Sequence, residues 1–132
     1  MESISMKVLS GSYSVHQLSC NSIVPAAVYQ EEFFSITQTD EELSIVCDSR
    51  IDLDSEKRED EFACLQVLGT LNFDLVGILA GITSCLSSAG VSIFALSTYN
   101  TDYILLKASK LELATKALEA AGYQIQRSSL NA

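Results

Sequence analysis

Basic side chains are scarce in this sequence: eight Lys and Arg stand against seventeen Asp and Glu, for a formal net charge of −9. That balance excludes nucleic acid as a partner, because phosphate binding needs clustered cations to displace counterions. Anionic membrane surfaces are disfavoured for the same reason. No apolar run reaches the roughly 20 residues needed to cross a bilayer. The N-terminus lacks a basic segment followed by an apolar one, so a cytoplasmic location is expected. Histidine occurs once, at His16, and the four cysteines, Cys20, Cys47, Cys64 and Cys85, form no CxxC pair. Buried thiols in a reducing compartment fit that scatter better than disulfides or zinc. A nucleophile needs a base within hydrogen-bond reach, yet Cys20 would stand about 13 Å from His16 along an extended chain. Phosphate-binding glycine loops and nucleophile motifs are missing too, so no catalytic residue, metal or cofactor is expected.

What is present is a folded composition of 132 residues, 48% apolar and 19% charged, enough for one ordinary domain or two small ones sharing a core. The richest stretch runs from Leu71 to Asp102. Within Asp74–Ala89, apolar residues at Leu75, Ile78, Leu79, Ile82 and Leu86 line one helical face. Asp74 is placed to cap this helix and Gly90 to stop it. Gly77 and Gly81 are costly inside a helical run, about 1 kcal/mol each against alanine. Either a ligand carboxylate approaches bare first-turn amides there, or another element packs closely on a small-residue face.

Around that helix the second half reads β-α-β-β-α-β from Phe62 to Arg127. F62–G69 forms a strand, V91–S97 and Y103–K107 a hairpin, and S109-K-L-E112 opens a second helix with capping-box spacing. Gly122 ends that helix before a last strand, Y123–R127. This order predicts an α+β, ferredoxin-like four-stranded antiparallel sheet with two helices on one face. The other face would be bare, so association with a copy or a partner is expected.

In the first half, Lys7–Leu18 reads as one strand with a bend at Gly11, and Pro25 opens a helical turn to Tyr29. F33–I36 and L43–C47 form a hairpin with an acidic tip. The charge run from D48 to E61 reads as a solvated linker. Shifted by sixty positions, F34–V46 lies over F94–L106, pairing Phe34 with Phe94, Thr37 with Ser97, Glu42 with Asp102 and Ile45 with Leu105. Two halves follow: a truncated copy over residues 1–60 and a complete one over 61–132.

The segment G77-I-L, the run A89-G-V-S-I-F-A-L-S-T-Y-N-T-D-Y-I-L-L106 and the ending L118-E-A-A-G-Y123 resemble the small tandem ACT-domain proteins related to the CASTOR amino-acid sensors. The resemblance covers nearly the whole chain and implies a tandem ACT fold whose first copy is truncated. It further implies a non-enzymatic regulatory module that binds an amino acid or related metabolite at a domain interface, as a homo-oligomer, with a dimer expected. Carried over by position, the ligand would meet the backbone of Gly77, Ile78 and Leu79. It would also meet the side chains of Ser97, Thr98, Asn100 and Asp102, with Asp102 facing a cationic group. Glu42 would be the equivalent acid in the first half. An association module that has kept the fold without a pocket is the alternative. The sensors carry more ACT copies per chain than the two expected here, so a complete pocket would draw on a second subunit.

Overall fold

A computed structural model describes residues 4–69 and 77–127. The elements are β1 (Ser5–Val8), β2 (Tyr13–Leu18), a 3-10 turn (Ala26–Gln30), β3 (Ser35–Gln38), β4 (Leu43–Asp48) and β5 (Lys57–Val67). After these come α1 (Ile78–Ser88), β6 (Phe94–Ser97), β7 (Asp102–Lys107), a 3-10 turn (Ala108–Lys110), α2 (Leu111–Ala120) and β8 (Gln124–Gln126). The architecture is α+β, and the chain forms two compact units. Met1–Ser10 groups with Ala63–Ala132 as a split unit, while Gly11–Phe62 forms an inserted unit between them in sequence. The first ten residues therefore go with the second half, whereas one N-terminal half over 1–60 was expected.

Gly11 is the reason. Its φ of 101° lies where side-chain-bearing residues are strained, and the chain breaks there into β1 and β2 instead of running as one strand over Lys7–Leu18. In the split unit, β1 pairs antiparallel with β5 (Met6 opposite Val67) and parallel with β8 (Met6 opposite Ile125). The strand order is β6-β7-β5-β1-β8, five strands where four were expected. Met6, Leu65, Val67, Ile104 and Leu106 bury one sheet face against Ile82 and Leu86 of α1 and Ala114 and Leu118 of α2. Alternation puts Cys64 and Leu105 on the opposite face, and both are fully buried, so that face is not bare at its centre.

Both helices end by one device. After α1, Gly90 takes a φ of 79° and the Val91 amide reaches back to the Leu86 carbonyl at 2.9 Å. After α2, Gly122 takes a φ of 102° and the Tyr123 amide reaches the Leu118 carbonyl at 3.0 Å. This closure satisfies carbonyls that the helix leaves open. The starts differ from expectation. Asp74, the expected cap, lies outside the described residues. The capping box at Ser109 does not form, because the chain enters α2 through a 3-10 turn that contains Ser109. Glu112 instead lies 3.6 Å from the Arg127 guanidinium.

The inserted unit has strand order β3-β4-β2-β5, all antiparallel. A βαββαβ unit would order its strands the same way; here a 3-10 turn stands in place of its first helix and residues 49–56 in place of its second. Leu18, Val28, Leu43, Ile45, Cys47 and Leu53 form its core. The charged run is thus no linker: Leu53 is buried within it, and its second part is the opening of β5. Opposite Ser14, β5 carries an extra residue, and Glu61 adopts a φ of 66°.

The two hairpins share one turn. The Thr39 amide bonds to the Glu42 carbonyl at 2.9 Å and the Thr39 hydroxyl accepts from the Glu42 amide at 3.1 Å. Thr98 makes the same pair with Thr101, at 2.8 and 3.2 Å. Superposed by this turn, the hairpins differ by 59 positions, not sixty. Ile45 then matches core-facing Ile104, and Cys47 matches Leu106. The sixty-position match would set Ile45 on Leu105, which faces the other way; a one-residue slip inverts every side chain. Glu42 is accordingly the counterpart of Thr101, not of Asp102.

Candidate functional site

The expected site residues fall into two groups in the split unit. Gly77 precedes α1 with a φ of 84°, and among the described residues nothing lies within 4 Å of where a Cβ would stand on it. The first helical bond runs from the Gly81 amide to the Gly77 carbonyl at 2.8 Å. The amides of Ile78, Leu79 and Ala80 therefore have no acceptor within the helix. The side chains of Ile78 and Leu79 pack on the core, leaving only their backbone for a ligand. Gly81 is a packing glycine, because a Cβ there would come within 2.9 Å of the Tyr123 hydroxyl. The two glycines thus divide between the two readings, one open and one close-packed.

The second group lies on the β6–β7 hairpin. Ser97 and Asp102 are paired across the ladder, and the Ser97 hydroxyl donates to the Asp102 carboxylate at 2.5 Å. Asp102 is half-buried and Asn100 exposed at the turn. The Thr98 hydroxyl donates to the Thr101 carbonyl at 3.1 Å and accepts from its amide, so it holds the turn. Thr101, which the sequence did not single out, is buried, and its hydroxyl donates to the Val67 carbonyl at 2.6 Å, tying the hairpin to the end of β5. Among the described residues, no hydrogen bond joins Ser97 or Asp102 to Gly77, Ile78 or Leu79.

Tyr103 and Tyr123 are both pushed up by burial, away from ionisation at neutral pH. All four cysteines are free thiols. Burial pushes Cys47 up to about 11 and Cys64 up to about 12, which keeps both protonated and unreactive. No group of three His, Cys, Asp or Glu that could hold a metal occurs among the described residues. No helix among them is long and apolar enough to cross a membrane.

A separate polar cluster in the inserted unit was invisible in the sequence. His16 is 1% exposed on β2, and its Nδ1 lies 3.1 Å from the Ser55 hydroxyl. Beside it, the Ser14 hydroxyl donates to Asp60 at 2.6 Å and lies 2.8 Å from that of Ser49. Arg58, opposite His16 on β5, bonds to Asp60 and to the Ser49 carbonyl.

Comparison with known proteins gives this geometry a context. A family model for the ACT domain matches residues 57–120, and a second model, for an N-terminal domain, matches residues 11–51. None of the curated proteins matches the chain. Among solved structures, a protein from Agrobacterium tumefaciens is 36% identical, with 97% of this chain and 96% of that one covered and a TM-score of 0.88. The regulatory subunit of aspartate kinase from Thermus flavus is 10% identical over 91% of this chain and 97% of that one, with a TM-score of 0.63. Aspartate kinase from Clostridium acetobutylicum is 18% identical over 90% of this chain but only 34% of that one, also with a TM-score of 0.63. The two kinase likenesses are likenesses of fold. These likenesses support the wider ACT group and do not reach the CASTOR sensors in particular. Matched nearly end to end at more than a third identity, the chain belongs to the family of the Agrobacterium protein, and its second half carries an ACT domain.

Proposed function

We propose that this ACT-domain protein is a non-catalytic regulatory module that takes up an amino acid or a related small metabolite. The observation that carries the reading is the open approach at Gly77. A left-handed glycine, whose Cβ position meets no other described residue within 4 Å, precedes three amides that the helix leaves unbonded, and such a terminus favours a carboxylate. Asp102, half-buried and oriented by Ser97, is the acid for the ligand's cationic group, with Asn100 at the exposed rim and Thr98 holding the turn. The likeness of fold to the regulatory subunit of aspartate kinase favours a metabolite-responsive role over a purely associative one.

Among the described residues the two groups share no hydrogen bond, and in this reading a ligand bridging helix start and hairpin draws on a second copy, with a homodimer as the working assembly. In that arrangement the inserted unit serves as a truncated second ACT copy, and the protein works in the cytoplasm. Ligand binding would then act by linkage, stabilising the bridged state according to its differential affinity. Thermal unfolding in the presence of each of the twenty amino acids tests this. A ligand at 100 times its Kd adds about 2.7 kcal/mol, a shift of several degrees. The shift should vanish in Asp102→Ala. No response to any amino acid at millimolar concentration would overturn the reading.

A further inference from the structure

The inserted unit holds one buried side-chain nitrogen or oxygen without a hydrogen-bond partner among the described residues: Nε2 of His16. The ring lies on the core-facing side of β2, level with Ile45 on β4 and Arg58 on β5. Its other nitrogen meets Ser55, near the end of residues 49–56, the segment whose Leu53 covers the core. That segment is held at its start by the Ser49 amide on the Ser12 carbonyl and by Arg58 on the Ser49 carbonyl. It is held at its end by the Glu56 amide on the Gln17 carbonyl. Beside the apolar Leu53 and Ile51, Ser55 makes the polar contact that reaches inward from it.

We propose that His16 is a proton-operated latch on the 49–56 segment: neutral, it keeps Ser55 and the cover closed; protonated, it releases them. A neutral ring leaves Nε2 as its single unmet atom. An imidazolium must bury a charged N–H with no acceptor, and a buried charge without a partner is costly. The charged groups around the ring are Arg58 and Asp60 from β5 and Asp52 from the segment. Asp60 is already shared between Ser14 and Arg58, and the Asp52 side chain is 98% exposed, so water screens it. On β4, Ile45 carries no charge and Cys47 remains a neutral thiol. Burial first, then the Arg58 charge, holds the imidazole below its ordinary range. Opening the segment admits water to Nε2 and removes the penalty, so protons favour the open form.

The test uses the full chain, with two readouts on one sample: the His16 ring titration by NMR, and hydrogen-exchange protection of the 51–56 amides, corrected for intrinsic exchange. The open form titrates near the ordinary imidazole value of about 6.5 and the closed form below it, so protection should fall as the pH drops below 6.5, by at most about tenfold per pH unit. His16→Gln, which keeps a neutral polar side chain, should flatten that dependence. Titration at or above the usual imidazole range would overturn the proposal. So would protection that stays constant as the pH falls, or a His16→Gln protein that keeps the wild-type dependence. Should that variant not fold, the two wild-type titrations decide the matter alone.

Discussion

The whole net charge of the molecule resides in one of its two units. Gly11–Phe62 carries twelve carboxylates against three basic side chains, whereas the split unit carries five of each. The split unit has two α-helices over a wide apolar core; the inserted unit has no α-helix among its described residues and a smaller core. Two of its three cations are already paired, Arg50 with Asp48 and Arg58 with Asp60. Excess like charge works against compactness. The two units thus rest on different balances of force: apolar burial dominates in one, while the other leans on ion pairs and a buried polar cluster.

Core truncation separates the two most sharply. Leu118→Ala removes a fully buried side chain from between helix and sheet and should cost about 3–5 kcal/mol, whereas Leu53→Ala, on an irregular segment that can settle, should cost about 2. Denaturant unfolding of each variant gives the figures, and equal losses would break the distinction. Next in size is the close approach within the split unit. Gly81→Ala should gain nothing alone, since its Cβ meets the Tyr123 hydroxyl, but with Tyr123→Phe it should stabilise by up to about 1 kcal/mol. In the inserted unit, Glu61→Gly relieves a positive φ and should stabilise by up to about 1 kcal/mol, read as a raised melting temperature. Smallest is the salt response, in which screening should protect amides of the inserted unit by a few tenths of a kcal/mol more than those of the split unit.

Acid adds a sign to the comparison. The side-chain bond from Arg50 holds the Asp48 carboxyl below the usual carboxylate range, and bonds from Ser14 and then Arg58 do the same for Asp60. Their stabilisation is complete above about pH 4, the unfolded carboxylate range, and fades as pH falls through the lower folded values. Loss of inserted-unit signals below pH 4, ahead of those of the split unit, is the expected outcome of an acid titration followed by NMR.

How much of this was legible in the residues depended on what each pattern encoded. The run from Phe62 onward was readable because apolar spacing changes from helical to alternating and glycine marks both helix ends. Gly90 and Gly122 behave as read. The repeat was seen but set one position off, because Ile45-Val46-Cys47 and Ile104-Leu105-Leu106 are apolar on both faces and alternation could not fix the register. Only the threonine turns at Thr39 and Thr98 do so. The acidic run concealed a strand because the exposed part of β5 lacks apolar alternation and Leu53 stands nearly alone among charges. His16 looked isolated because Ser55, Arg58 and Asp60 approach it through pairing across the sheet, not along the sequence. Of the candidate site, the Ser97–Asp102 pairing follows from the hairpin, and the open position at Gly77 from its own backbone.

Because residues 1–10 group with the second half, the order of synthesis matters. Strand β1 is made before both neighbours it pairs with, β5 and β8, and β8 is the last strand among the described residues. The inserted unit is contiguous and can close while the rest is still being made, whereas the other must await synthesis of β8. A fragment cut at residue 61 would begin life with a missing rung between its own first and last strands.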